Sequence, residues 1–428
     1  MEDDAMAVRE QAAMPRSLQD GIKRFGGSRR NVRLTLSSGS TTVNENGILR
    51  IRLPSNSLCD LRGFGFSGDL TTTGGTAGAS GVMGSHTLIR RISMTAAGVV
   101  TNAQNNNWNL TAHCANLAGN GLEFDKGNLL NGGYPLDMVR TSEFLEFNYF
   151  PYSPLTCGII DTGLTGEVEI EIVFAGAEAL VTDQGSTPQT AYSIANLRAY
   201  VPVIDLETDF YRKFVAAALA RGKTIQKQME LATAVVQGAQ SSNSFNVSTA
   251  CLDKVLVAPK DAAWQTAAAQ ADGQVYSRYL DVDCGAAHPA DGYSVYVQIG
   301  SYSFPAFGFG DNYAQLAELT RQNWAGSVYN YNKLFLQTDG SGAALDTANL
   351  EYKAQAYCEH NAVVLIPVGA FDEHGKEGGI DLSSGNSIIR VECKGTNLES
   401  SAQTHLLMAG IHKSKLQIRA GQTVSFSV

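Results

Sequence analysis

The sequence lacks long apolar runs and paired cysteines. No stretch approaches the roughly 18 apolar residues that span a bilayer, and the most apolar helical stretch, Phe214–Ala220, is far shorter. The seven cysteines are widely spaced, with no CxxC pair, and we find no signal peptide ahead of them. This pattern is typical of free thiols, so we expect a protein made in a reducing compartment, the cytosol or nucleus of a cell.

Charged residues are scarce as well. They make up 17% of the chain, and the net charge is −9, which argues against a protein that binds nucleic acid over its whole surface. The 43 glycines and the 44% of hydrophobic residues indicate a well-buried, turn-rich protein. At 428 residues the chain exceeds one ordinary core, and two domains of roughly 200 residues each are expected.

Motifs for metal, nucleotide or acyl chemistry are missing. The seven histidines occur singly, without HExxH spacing, and His113-Cys114 and Cys358 with His360 come nearest to ligand pairs. The glycine-rich run near residues 74–84 has no Walker lysine, and no Gly-x-Ser-x-Gly elbow has a histidine partner. The triplet 372–374 (Asp-Glu-His) lies in a polar loop bounded by glycine. We therefore expect no catalytic residue, no cofactor and no metal.

Alternation of apolar and polar residues predicts many short strands. The first is a hairpin in which Val32, Leu34 and Leu36 precede an Asn46-Gly47 turn and Leu49, Ile51 and Leu53 follow it. Further strands are predicted at 88–94, 144–149, 168–172, 197–203, 252–257, 274–281, 293–299, 328–336, 362–368, 389–393 and 416–428. Long loops are predicted at 71–84, 102–107 and 258–272. This arrangement indicates a sandwich or barrel.

Short helices divide this strand pattern into two similar halves. One helix is predicted between an N-cap at Thr208 and a stop at Gly222, and it would connect the halves. Each half has its own helix in the middle, at 108–118 and at 311–324. The common layout, with little residue identity, favours an internal duplication.

Several segments resemble double jelly-roll major capsid proteins. The closing stretch 362–395 contains Gly379, Ile380, Asp381 and Leu382, which match a Gly-Ile-Asp-Leu loop of that family. Residues 404–428 resemble its final strand pair, 293–336 the middle of its second jelly roll, and 195–222 the strand and helix that end the first one. In size and style the chain is most similar to the capsid proteins of polinton-like viruses, virophages and other small tailless double-stranded DNA viruses.

The resemblance implies an all-β fold of two fused eight-stranded jelly-roll β-sandwiches (a double jelly roll) with a few short helices. It also implies a structural protein of the virion, not an enzyme, that assembles as homotrimers of pseudo-hexagonal outline into an icosahedral shell. Neighbouring capsomers and minor capsid or penton proteins would be its partners. We divide the chain into an N-terminal basic arm (1–30), a first jelly roll (31–207), a connecting helix (208–222) and a second jelly roll (223–428).

The N-terminal arm is the one charged feature that implies a partner. Its basic residues, set against the nearby Asp20, are Arg16, Lys23, Arg24, Arg29, Arg30 and, just beyond it, Arg33. Contact with the packaged genome, an internal membrane or acidic neighbours is one interpretation, and a solvated tail is the other.

Two other functions remain open from the residues alone. The first is a secreted carbohydrate-binding protein or adhesin built of two β-sandwiches, although no signal peptide supports it. The second is a sandwich-fold glycosidase, which needs paired carboxylates on a concave face. The acidic residues Glu167, Glu169 and Glu171 alternate along one strand, a pattern that better suits a solvated exterior. The sequons at Asn109 and Asn246 are expected to be chance matches.

Overall fold

The structure is a computed structural model of the chain. It describes residues 27–36, 39–76, 80–82, 84–101, 106–119, 139–140, 144–182, 187–206, 210–238, 242–260, 264–265, 294–304, 363–371, 377–383, 388–394, 405–419 and 423–427. The strands predicted at 274–281 and 328–336, the helix at 311–324 and the triplet 372–374 lie outside them.

The first unit contains eight principal strands in two sheets. They are β1 (Gly27–Arg33), β2 (Ile48–Arg52), β3 (Gly65–Thr73), β4 (Ile89–Ala96), β5 (Val99–Thr101), β6 (Phe144–Phe147), β7 (Val168–Phe174) and β8 (Ala191–Leu206). One sheet has the order β1-β8-β3-β6 and the other β2-β7-β4-β5, with all pairs antiparallel. Helix α1 (Trp108–Gly119) lies between β5 and β6 along the chain.

The second unit repeats this arrangement after helix α2 (Phe210–Ala220). Its strands are β9 (Ile225–Gly238), β10 (Asn243–Asn246), β11 (Leu252–Lys260), β12 (Ser294–Ile299), β13 (Tyr302–Phe304), β14 (Val364–Pro367), β15 (Ile388–Lys394) and β16 (His405–Arg419). They form sheets of order β9-β16-β11-β14 and β10-β15-β12-β13, and β17 (Thr423–Ser427) adds to the edge of β16.

Shorter elements complete the two units. Two-stranded or added pairings involve Thr35–Leu36, Val43–Asn44, Leu58–Asp60, Ser80–Val82, Val139–Arg140, Ile159–Asp161, Val181–Thr182, Ala370–Phe371 and Glu377–Gly378. Single helical turns occur at Leu61–Gly63, Ser85–Leu88, Pro154–Cys157, Thr162–Thr165 and Ala177–Ala179.

Numbered within each unit, the strand order of the two sheets is 1-8-3-6 and 2-7-4-5 in both halves. Two facing sheets in which the first strand pairs with the last, and the second with the seventh, form a jelly roll. The prediction of two fused jelly rolls is therefore confirmed, and the similarity of layout seen in the sequence corresponds to a repeated topology.

Local sequence explains the best-predicted elements. Along β7 the side chains of Val168, Ile170, Ile172 and Phe174 are buried while the residues between them are partly exposed, as period-2 alternation requires. Helix α2 ends where Gly222 adopts a φ of +74°, a left-handed conformation that glycine reaches without steric cost.

The expected hairpin at 32–53 is only partly correct. Thr35 and Leu36 do pair with β2, but residues 27–33 form β1 and pair with β8, so the chain changes sheets at Leu34. Strand β1 begins at Gly27, four residues before the predicted start of the first jelly roll. The predicted loops at 71–84 and 258–272 also begin within strands, because β3 runs to Thr73 and β11 to Lys260.

One sheet of the second unit is buried on both faces. In β16, Leu406 and Met408 pack into the core between the two sheets of the second unit. The alternate residues Leu407 and Ala409 belong to the core cluster that also contains the first unit. The two jelly rolls therefore share a continuous apolar core through the sheet β9-β16-β11-β14.

Candidate functional site

The two units meet along a joint that buries apolar side chains of both. On the first-unit side it involves α1 and the turn Pro154–Cys157, and on the second-unit side strand β9. Thr156 Oγ1 donates to the carbonyl of Glu230 at 3.2 Å and accepts from its N–H at 3.0 Å, while Asn107 donates to the carbonyl of Ala234 at 3.3 Å. Backbone polar groups at the edge of the joint are thus paired, as burial requires.

Ionisable side chains are buried close to this joint. The rings of His86 and His113 stack with centroids 5.8 Å apart, and both nitrogens of His86 and Nδ1 of His113 are buried without a hydrogen-bond partner. Burial lowers the pKa of His86 to about 4. Burial, followed by the charges of His86 and Lys260, lowers the pKa of His113 well below its usual value. Lys260 itself, at the end of β11, is fully buried. This cluster could not be predicted from local patterns, since its members are far apart along the chain.

The outward face of the sheet β2-β7-β4-β5 carries a ladder of ion pairs. Glu169 and Glu171, two members of the acidic row on β7, lie opposite Arg52 and Arg50 on β2. The closest nitrogen–oxygen distances are 2.6 Å for Arg52–Glu167, 3.0 Å for Arg50–Glu171 and 2.9 Å for Arg91–Glu171. Each acidic residue therefore lies within 4.0 Å of an arginine on a partly exposed surface.

The outward face of the sheet β1-β8-β3-β6 is different, and we call it the open face. It consists of Arg33 on β1, Ser67 on β3, Phe144 and Glu146 on β6, and Arg198 and Tyr200 on β8. The side chain of Phe144 is 61% exposed, and Arg33 and Arg198 are also exposed.

Tyr200 organises the centre of the open face. Its hydroxyl donates to Oε1 of Glu146 at 2.5 Å. Its ring lies so close over Gly65 that a Cβ added there would stand 2.5 Å from the hydroxyl oxygen. Burial and then the Glu146 carboxylate raise the pKa of Tyr200, which keeps the phenol in its donating form.

The residues of the predicted arm fall into two groups. Arg16, Lys23 and Arg24 lie outside the described residues. Arg29 and Arg30 belong to β1, and Arg30 forms an ion pair with Asp205 on β8, with Nε and Oδ2 2.5 Å apart. Arg33 ends β1 and is exposed. The structure therefore brings the last three basic residues onto one edge strand.

The Gly-Ile-Asp-Leu segment is pinned beside the start of β11. Ile380 and Leu252 exchange two backbone hydrogen bonds of 2.9 Å, and the N–H of Leu382 donates to Thr249 at 2.7 Å. The Asp381 carboxylate accepts from the N–H and the hydroxyl of Ser383, which lowers its pKa. These contacts give the segment a structural position between β14 and β15.

Other candidate groups are placed as follows. Cys59, Cys114 and Cys157 are buried free thiols, and Cys251 is a partly buried one. Asn109 is fully buried and donates to the carbonyl of Thr87 at 2.9 Å, whereas Asn246 is exposed on β10.

Within the described ranges no three potential ligands cluster into a metal site. No described helix has the length and apolar character needed to cross a bilayer.

Comparison with known proteins places this architecture. Neither a family model nor a curated protein matches the sequence. Among solved structures, the PBCV-1 protein VP54, fitted into a reconstruction of the virophage Sputnik, is similar with a TM-score of 0.62 and 10% identity, over 95% of this chain and 98% of that one. The Faustovirus major capsid protein is similar with a TM-score of 0.53 and 9% identity, over 98% of this chain and 94% of that one. A chain of the Sputnik virophage is similar with a TM-score of 0.53 and 11% identity, over 97% of this chain and 92% of that one. The chain thus has, along nearly its whole length, the double jelly-roll fold of viral major capsid proteins.

Proposed function

We propose that this chain is a viral major capsid protein that self-assembles as pseudo-hexagonal trimers into an icosahedral shell. The observation that carries the proposal is the repeated jelly-roll topology, which extends over 95% of this chain and 98% of the PBCV-1 protein. A shell protein needs no reacting groups, and its role is structural. Its place is the virion, after synthesis in the host cytoplasm or assembly in the host nucleus.

The mechanism is self-association of nearly equivalent units. Two jelly rolls per chain and three chains per capsomer supply the six sides of a hexagonal tile, and cyclic symmetry closes the ring. The shared apolar core supports this proposal because it fixes the two units of one chain as a single building block.

Further partners follow from the same proposal. Minor capsid or penton proteins would occupy vertices and gaps between tiles. The basic residues would contact the packaged genome, an internal membrane or acidic neighbours from the shell interior, and they are Arg16, Lys23, Arg24, Arg29, Arg30 and Arg33. Salt-dependent binding by a peptide of residues 1–33 would separate such contact from a solvated tail. The division into arm (1–30), jelly rolls (31–207 and 223–428) and connecting helix (208–222) belongs to this proposal, with 27–30 already in β1.

Electron microscopy of the purified full chain tests the function. The proposal predicts three-fold particles with a hexagonal outline, and shells or flat hexagonal arrays at high concentration. Isolated monomers that bind a panel of glycans would instead support the carbohydrate-binding or adhesin alternative and would refute the capsid function.

A further inference from the structure

Two buried histidines lie near the place where the first jelly roll meets the second. His86 is in the helical turn Ser85–Leu88, His113 is on α1, and their rings stack with centroids 5.8 Å apart. Both nitrogens of His86 and Nδ1 of His113 are buried without a hydrogen-bond partner in the described part of the chain. The ring of His86 also lies close to Gly84, where an added Cβ would stand 2.8 Å from Cε1. This packing suits neutral rings, because a protonated imidazole needs acceptors for both of its N–H groups.

The second jelly roll places a cation beside these rings. Lys260, at the end of β11, is fully buried, and His405 lies opposite it on β16. After burial itself, the charges of His86 and Lys260 lower the pKa of His113. The remaining titratable ring is that of Tyr149, which meets His86 edge to face with centroids 6.1 Å apart. Protonation of the two histidines therefore adds positive charge where a buried ammonium group already lies, and like charges in a buried place repel strongly.

The joint can open at lower cost than either sandwich. Thr156 and Asn107 supply hydrogen bonds across it, whereas continuous ladders of backbone hydrogen bonds join β4 to β7 and β9 to β16 within the two units. Local opening of a protein begins where such cooperative bonding is weakest. Helix α1 carries His113 and contacts β9. Separation of α1 from β9 would therefore bring water to the histidines without breaking a sheet.

We infer that protonation of His86 and His113 separates the two jelly rolls of one chain at their joint while each sandwich stays folded. This inference goes beyond the proposed capsid function and does not depend on it. In the proposed shell, the same change would loosen every tile in an acidic compartment.

The direction and size of the effect follow from proton binding. The pKa of His86 is about 4 in the closed joint and returns to about 6.5 once water reaches the ring. The open form thus binds more protons between these values, so the joint stays closed above pH 6.5 and loosens as the pH falls toward 4. His86 alone favours the open form roughly 70-fold more at pH 4.5 than at pH 7.5, and His113 acts in the same direction.

The native cysteines of the full chain test this inference. Cys114 on α1 and Cys157 in the turn against β9 are buried on the first-unit side of the joint, whereas Cys59 is buried on a short strand that pairs with β8. The chain is treated at pH 7.5 and at pH 4.5 with a dipyridyl disulfide, which reacts with thiols even in acid. Peptide mass spectrometry gives the rate at each cysteine relative to the urea-unfolded chain at the same pH.

We expect the relative rates of Cys114 and Cys157 to rise at least about 50-fold at pH 4.5, while that of Cys59 changes less than about threefold. An equal rise at all three cysteines would show that the whole first jelly roll unfolds and would overturn the inference. Unchanged protection of Cys114 and Cys157 at pH 4.5 would overturn it as well.

Two variants assign the effect to this cluster. The double variant His86→Phe/His113→Phe keeps two stacked aromatic rings and removes both titrating groups, so we expect it to abolish the rise at pH 4.5. His412→Phe is the matched control, because His412 is also buried with a pKa of about 4 but lies on β16 and contacts Ser414. The control should keep the full rise, and circular dichroism at pH 7.5 confirms that both variants fold. A rise that persists in the double variant, or that disappears in the control, would refute the assignment. Trimer formation is measured separately, so the capsid function can fail or stand without this inference.

Discussion

Tyr200 on β8 and Glu146 on β6 are joined by a 2.5 Å hydrogen bond that crosses the intervening strand β3. The phenol ring lies over Gly65, the one residue type that leaves room for it at this point. This bridge ties three strands together on their outward side. The outward side of this sheet is therefore braced across its centre.

Removal of this hydrogen bond should weaken the first jelly roll measurably. We expect Tyr200→Phe to lower the free energy of unfolding by about 1–2 kcal/mol, because a half-buried carboxylate loses its donor. Tyr302→Phe is the control, since Tyr302 is 70% exposed and its loss of a hydroxyl should cost nothing measurable. Urea unfolding measures the free energy of unfolding of both variants. Equal values for Tyr200→Phe and Tyr302→Phe would contradict the role given to the hydrogen bond.

Acid should destabilise the chain through the buried histidines. The pKa of His86 is about 4 in the folded chain, whereas an unfolded histidine takes up a proton near pH 6.5. Between pH 4 and pH 6.5 the unfolded state therefore binds more protons than the folded state. The contribution of the neutral His86 ring to the free energy of unfolding is complete above pH 6.5 and is lost as the pH falls toward 4. The loss from His86 alone is on the order of 3 kcal/mol.

His86→Phe tests this linkage. The variant keeps an aromatic ring in the stack and removes two unpaired nitrogens, so we expect a flatter dependence of unfolding free energy on pH and no loss at pH 7. His412→Phe is a contrasting variant, because that ring contacts Ser414 at 3.1 Å and Thr233 at 3.3 Å and its replacement should cost stability at pH 7. An unchanged pH profile for His86→Phe would refute the link between the buried His86 ring and acid sensitivity.

Gly379 should tolerate no side chain. A Cβ there would lie 2.6 Å from Sγ of Cys251 and 2.6 Å from the carbonyl oxygen of Leu252. We expect Gly379→Ala to cost about 1–3 kcal/mol, the usual range for an overpacked site. The double variant Cys251→Ala/Gly379→Ala should recover part of this loss, because only the sulfur contact disappears. Thermal unfolding of the single and double variants measures these losses of stability. A Gly379→Ala variant as stable as the unchanged chain would show that the segment is not held tightly in place.

The four thiols with described side chains should differ sharply in reactivity. Burial, with a contribution from Asp161, raises the pKa of Cys59 to about 11, and burial raises those of Cys114 and Cys157 to about 12. Thiolate is the reactive form, so at pH 8 these three should resist alkylation in the native chain. Cys251 is the most accessible of the four thiols and should be alkylated first. Peptide mass spectrometry after timed alkylation measures the order, and labelling of Cys114 as fast as Cys251 would contradict it.

The fold was predictable wherever one face of a strand meets water. Residues 168–174 alternate between buried and exposed, and period-2 patterning located that strand correctly. Strand β9 was missed because its second half, around Leu231 to Val235, contacts the first jelly roll and β16 and shows little alternation. The first part of strand β1, residues 27–31, was missed because its arginines resemble an unstructured arm, although charged residues are common on edge strands.

The candidate surfaces were less predictable than the fold. The pairing of Tyr200 with Glu146 and the stacking of His86 on His113 depend on strand register and helix placement, which neither residue signals locally. The row of Glu167, Glu169 and Glu171 was recognisable as one face of one strand, but its arginine partners on β2 and β4 required the sheet order. The open face likewise required the sheet order, because its residues come from four different strands.

Light scattering coupled to size-exclusion chromatography of the full chain measures whether the proposed capsid protein is a trimer. We expect a species of three times the 45.7 kDa chain mass that persists on dilution, together with larger assemblies at high concentration. A dilution-stable monomer of 45.7 kDa would contradict it.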